Sequence, residues 1–139
     1  AMTTRLNPYL NFRDDARQAM EFYQSVLGGE LTMTTFKDGG MSQGAADANL
    51  VMHAQLEANN GMLLMASDTP PGTEFKPGTN ISISLSGTDE KALRGYWEKL
   101  SRGGTVAMPL EKAPWGDTFG MCTDKFGIQW LVNIAGQGS

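Results

Sequence analysis

His53 is the only histidine in the chain, and imidazole is the side chain whose proton exchange is best placed for general acid–base work near neutral pH. It sits in "LVMHAQLE", where Leu50, Met52, Ala54 and Leu56 alternate with Val51, His53, Gln55 and Glu57, so strand geometry puts His53 on the polar side. Two readings stay open: a hydrogen-bonded structural histidine, or the best single catalytic candidate. Cys122 is the only cysteine. Only Lys125 is near enough in sequence to lower its pKa, which favours a buried, unreactive thiol; a Cys122–His53 pairing through the fold is a further possibility. Trp115 and Phe119 flank glycines in "PWGDTFG". With space left by Gly116 and Gly120, they serve either as stacking surfaces for a planar or apolar ligand or as packing at a module junction. The turn from Asp124 to Gly127 reads as structural.

The elements that carry these residues repeat. In "DDARQAMEFYQSVLGG", Ala16, Ala19, Met20, Tyr23, Val26 and Leu27 recur at helical spacing before a glycine pair. In "TDEKALRGYWEKLSRGG", Ala92, Leu93, Tyr96, Trp97 and Leu100 do the same before another pair. Strand-like segments surround each helix: 7–13, 30–37, 49–58 and 61–67 in the first half, then "NISISLS", 105–111, 118–123 and 128–134 in the second. The chain is therefore expected to be α+β, one domain made of two tandem βαβββ modules, 5–68 and 80–135. They are joined by a Pro- and Gly-rich linker, 69–79. The glycine-rich loop "KDGGMSQGAADAN" is expected to cover or border a site.

Composition narrows the partners. A net charge of −4 and a pI near 4.9 argue against nucleic acid and anionic membranes, which require clustered Lys and Arg. No apolar run approaches the ~20 residues of a membrane helix, and "AMTTRLNPYL" lacks an apolar leader core, so a cytoplasmic location is expected. One cysteine forms no intramolecular disulfide, in keeping with a reducing compartment. "LGGEL" and "SRGGTV" are helix stops before strands and do not cradle phosphate. Most Asp, Glu and Lys residues are expected on solvated faces. Nine methionines suit an irregular core or an accommodating pocket.

The paired modules, with "AMEFYQSVLGGEL", "VMHAQL", "LLMASD" and "PWGDTFGMCTDKFGIQWLVN", resemble the vicinal oxygen chelate superfamily of glyoxalases, bleomycin-resistance proteins and extradiol dioxygenases. The likeness is nearest to its PhnB-like branch, whose domains also carry a demethylubiquinone methyltransferase label, and it runs from Asn7 to Asn133. It implies a sheet curved around a ligand cleft and, in the metalloenzymes, a divalent metal held by His, Gln or Glu on the first and last strands of each module. Superposition puts those positions at Pro8 or Tyr9, Ser82, Leu64 or Met65, and Leu131. Alternation favours Tyr9, with Leu10 and Phe12 toward the helix. None is a good ligand for a transition metal, so no metal or other cofactor is expected. The resemblance implies a small-molecule ligand held by Tyr9, Gln55, Met65, Ser82, Ser84, Trp115, Phe119, Gln129 and Leu131, and a homodimer. Two functions compete: a metal-free binding protein, and an enzyme acting through His53 or a shifted metal site.

Overall fold

In the computed structural model, which describes residues 4–42, 44–45, 47–58, 61–78 and 80–136, strand β1 (Tyr9–Phe12) buries Leu10 and Phe12 and leaves Tyr9 and Asn11 exposed. Helix α1 (Ala16–Leu27) buries the stripe expected from its spacing: Ala16, Ala19, Met20, Tyr23, Val26 and Leu27. Strands β2 (Glu30–Thr35), β3 (Val51–Glu57) and β4 (Leu63–Asp68) follow. The second half runs β5 (Ile83–Gly87), α2 (Glu90–Ser101), β6 (Thr105–Lys112), β7 (Thr118–Thr123) and β8 (Gln129–Ile134). The fold is α+β, with the βαβββ plan present twice. The chain divides into units Ala1–Lys76 and Pro77–Ser139.

Each unit forms a four-stranded sheet, in orders β1-β4-β3-β2 and β5-β8-β7-β6. The first strand lies parallel to the last, a pairing that requires a crossover, supplied by the helix and the following strands. The registers correspond. Tyr9 lies opposite Met65 and Phe12 opposite Asp68, as Ser84 lies opposite Leu131 and Gly87 opposite Ile134. The Thr69 N–H donates to the Phe12 carbonyl at 2.7 Å, and the Ala135 N–H to the Gly87 carbonyl at 2.7 Å. On this register the counterpart of Tyr9 is Ser84, whereas motif superposition chose Ser82. The turn between β1 and α1 is longer than that between β5 and α2, which offsets an alignment anchored on the helices.

The two glycine pairs have the same division of labour. Gly28 (φ 75°) and Gly103 (φ 80°) take left-handed backbone after the helices. At Gly29 a Cβ would overlap the Glu57 carbonyl oxygen, and at Gly104 the Thr123 carbonyl oxygen. The helix starts differ. Asp89 caps α2 by accepting the Ala92 N–H at 3.1 Å. Asp15, at the N-cap of α1, makes no such bond. The carboxylate of Asp68 takes the role, accepting the Ala16 N–H and the Val51 N–H, each at 2.9 Å, one on each oxygen.

Two expectations need correction. Val51 was placed beside His53 on the polar face, yet it is 1% exposed. Thr34 pairs with His53 but Thr35 with Val51, so Met52 is the extra residue of a bulge that re-aims Val51. Three acidic side chains stand apart from the solvated majority: Asp47, Asp68 and Asp124 are buried, each accepting hydrogen bonds from nearby backbone or side chains. Gly120 was assigned to leave room beside the aromatic rings of its own loop. A Cβ there would instead meet Trp97 of α2 and Leu110, each at 2.9 Å, because Gly120 faces the helix. Along α2 only Leu93 and Leu100 are buried, while Ala92, Tyr96 and Trp97 are half-buried. The neighbouring edge strand β6 is exposed at every position except Leu110. Pro109 and two register shifts disrupt β6 as a template for further pairing.

Candidate functional site

In the first unit α1 covers the face carrying Leu10, Leu56, Leu64 and Ala66, so the alternate residues form a helix-free face. Across it run Tyr9, Met65, Gln55 and Thr32, in register from β1 through β4 and β3 to β2. His53 lies one step along β3 on the same face, opposite Thr34. Tyr9 is 46% exposed, and His53, Gln55 and Met65 are half-buried. The Tyr9 Oη and His53 Nδ1 are 3.3 Å apart, and the rings are tilted by 37° at a centroid separation of 5.9 Å. Gln55 Nε2 donates to Glu57 Oε1 at 2.7 Å. The fold therefore gathers four of the anticipated site residues, Tyr9, His53, Gln55 and Met65, on one surface. It offers a phenol, an imidazole and an amide beside a polarisable thioether.

The second unit has a helix-free face of its own. Ser84, Leu131, Met121 and Met108 lie in register across β5, β8, β7 and β6. One step along are Ser86, Asn133, Phe119 and Glu111. In the other direction the Ser82 hydroxyl donates to Gln129 Oε1 at 3.4 Å. Trp115, 62% exposed, sits in the turn between β6 and β7 and meets Phe119 edge-on, with centroids 6.0 Å apart at 64°. Asp117 braces this turn against the end of β8. It accepts the Gly136 N–H at 2.8 Å and the Asn133 amide at 3.1 Å, and these bonds, the Gly136 one foremost, hold its carboxyl below the ordinary range. Sequence reasoning did not connect Asp117 with Asn133, because they become neighbours only through the pairing of β7 with β8.

Cys122 lies opposite Trp130 and Val106 on the helix side of β7 and is 2% exposed. Burial first, and the Asp124 charge second, push its thiol up to about 11. It is off the helix-free face of its own unit. The loop 37–49, expected to border a site, contains residues 43 and 46, which lie outside the described residues. Its described part is anchored by Ser42 donating to Asp47 Oδ1 at 2.8 Å. A separate open cavity of about 350 Å³, lined by Arg13, Asp14, Thr69, Pro70, Pro71 and Gly72, was not anticipated. Arg13 is turned there by donating to the Thr73 carbonyl at 3.2 Å and lying 5.6 Å from the Phe75 ring centre.

The profile of the family described as 3-demethylubiquinone-9 3-methyltransferase matches residues 4–133. A protein of known structure, PA1353 from Pseudomonas aeruginosa, is 36% identical with a TM-score of 0.84, the match covering 97% of this chain and all of that one (100%). A PhnB protein from Bacillus cereus, described as a putative 3-demethylubiquinone-9 3-methyltransferase, is 24% identical with a TM-score of 0.77 over 95% and 100% of the two chains. At the level of fold alone, a glyoxylase/bleomycin resistance protein/dioxygenase domain from Frankia superposes with a TM-score of 0.67 at 16% identity, over 100% and 96%. The chain belongs to the family described as 3-demethylubiquinone-9 3-methyltransferase.

The metal that the sequence resemblance implies can be tested against the strand register. The closing positions, Met65 and Leu131, sit opposite Tyr9 and Ser84. A thioether and an isobutyl group supply no hard oxygen or nitrogen donor. Among the described residues no three His, Cys, Asp or Glu side chains cluster to hold an ion. The residues at these positions do not fit the metal.

Proposed function

We propose that this chain is a small-molecule-binding protein of the PhnB-like branch, working without the superfamily's metal. Its ligand lies on the helix-free face of the first unit. The observation that supports this most directly is the convergence of Tyr9, His53, Gln55 and Met65 on one accessible surface. The mix of one thioether, one phenol, one imidazole and one amide suits a small, partly apolar molecule with a few polar atoms. Ser82, Ser84, Gln129, Leu131, Phe119 and Trp115 are the corresponding binding residues of the second unit.

The methyltransferase in the family's description is not carried over as an activity. Neither helix opens from a glycine-rich loop that would receive a nucleotide-like methyl donor; α1 follows Arg13–Asp14–Asp15 and α2 follows Thr88–Asp89. The second reading, metal-free acid–base catalysis at His53, draws support from the Tyr9–His53 contact. The working assembly is proposed as a homodimer, in the cytoplasm.

The test is a thermal-shift screen of small aromatic and apolar compounds, run before and after exhaustive chelation. Binding to the folded state raises the melting temperature. The expected hits survive chelation and lose their shift in Tyr9→Ala and His53→Ala. Hits that vanish on chelation would overturn the metal-free reading, and hits unaffected by both substitutions would remove the first unit's face as the site. Turnover that disappears in a folded His53→Ala variant would promote the catalytic reading.

A further inference from the structure

The Tyr9–His53 contact has a direction. A phenolic O–H is the stronger donor of the pair, and the lone pair of a neutral imidazole nitrogen is a better acceptor than a phenol oxygen. With Oη 3.3 Å from Nδ1, the favoured arrangement has Tyr9 donating to Nδ1, which leaves the ring proton on Nε2. Among the described residues no hydrogen bond engages Nε2 of His53, and the ring stands half-buried on the helix-free face. From this geometry we infer that Tyr9 is a positioning residue. It holds His53 as the Nε2–H tautomer, so that the first unit presents a fixed hydrogen-bond donor, and the face selects ligands carrying an acceptor oxygen such as a ketone or carboxylate. The selection rests on the proposed binding site; the tautomer does not, because both side chains belong to the ligand-free chain.

The lone histidine makes this measurable. In the ¹⁵N-labelled full chain a two-bond ¹H–¹⁵N correlation spectrum contains one imidazole from the protein's own sequence, recorded on the alkaline plateau of its titration. The expected result is a protonated Nε2 and an unprotonated Nδ1. Tyr9→Phe, which keeps the ring and removes the donor, is expected to give about a threefold rise in the Nδ1–H fraction, the size appropriate to losing one weak neutral hydrogen bond. An Nδ1–H form dominating in the wild type, or unchanged tautomer populations in Tyr9→Phe, would overturn the positioning role. The ligand class is read in the same spectrum with acetophenone and its isostere α-methylstyrene, in which CH2 replaces the carbonyl oxygen. A shift of Nε2 with acetophenone alone supports acceptor selection. Equal shifts, or none with either probe, refute it without touching the tautomer result.

Discussion

Asp124 is 3% exposed, and its carboxylate organises the tight turn before β8. It accepts the Phe126 N–H at 2.8 Å, the Ile128 N–H at 3.1 Å and the Trp130 indole N–H at 2.8 Å. Alanine would leave buried donors unpaired, so Asp124→Ala is expected to cost about 3 kcal/mol of unfolding free energy, measured by denaturant titration. A loss under about 1 kcal/mol would mean that water replaces the carboxylate. Cys122, with its thiol pushed up to about 11, is expected to resist a disulfide reagent at pH ~8 in the native protein and to react at once after unfolding. Fast native labelling would contradict its burial. Asp15 is shifted the other way from Asp117. Burial raises its pKa above the ordinary aspartate value, so its ionised form opposes folding. The stability it contributes is present below the unfolded pKa and is lost as pH rises through the folded one. Asp15→Asn is therefore expected to raise the neutral-pH melting temperature, with the gain shrinking on acidification to about pH 3. For Asp117 the sign reverses: its contribution is present above the unfolded pKa and lost as pH falls through the depressed folded value. At this scale the sequence made His53, Cys122 and the aromatic pair legible as unusual. It left Asp68 looking like an ordinary acid, because its donors, the Ala16 and Val51 N–H groups, come from another helix and another strand.

At the scale of elements, both helices and all eight strands were legible from the change of apolar period between 2 and 3.6. The strand ends moved by up to three residues, the largest shift being the start of β5 at Ile83. The bulge at Met52 was not legible, since an extra residue shows itself only against the partner strand, and it decided which face Val51 joined. The helix ends give a paired prediction. Gly29→Ala and Gly104→Ala should each cost more than Gly28→Ala, because the first two drive a Cβ into a carbonyl oxygen while Gly28 has open space and needs only its left-handed φ. With ψ −172°, Gly28 lies where essentially only glycine goes, and about 1–3 kcal/mol is expected for Gly28→Ala; equal losses at all three sites would refute the close-approach account. Likewise Asp89→Ala should cost about 1 kcal/mol through its lost cap, whereas Asp15→Ala removes no cap bond.

For the whole molecule, no described helix is long and apolar enough to cross a membrane. Of the seven large apolar side chains exposed among the described residues, Ile81, Val106, Met108 and Trp115 belong to the second unit and Leu6, Tyr9 and Met41 to the first; the proposed dimer is tested on the second unit's group. Sedimentation is expected to give twice the chain mass of 15.0 kDa, and charged replacements at Val106 and Met108 are expected to return it to the monomer value; a wild-type monomer at high concentration would end that proposal. The amino-acid sequence alone determined the duplicated βαβββ plan, the alternation that separates Leu10 and Phe12 from Tyr9, and the poor metal-binding chemistry of the residues available. These are properties of local spacing and side-chain type. Only the tertiary structure decided that Ser84 is the counterpart of Tyr9, that Cys122 faces the helix, and that Tyr9 reaches His53. Each depends on strand register, which a chain acquires only when its non-local pairs form.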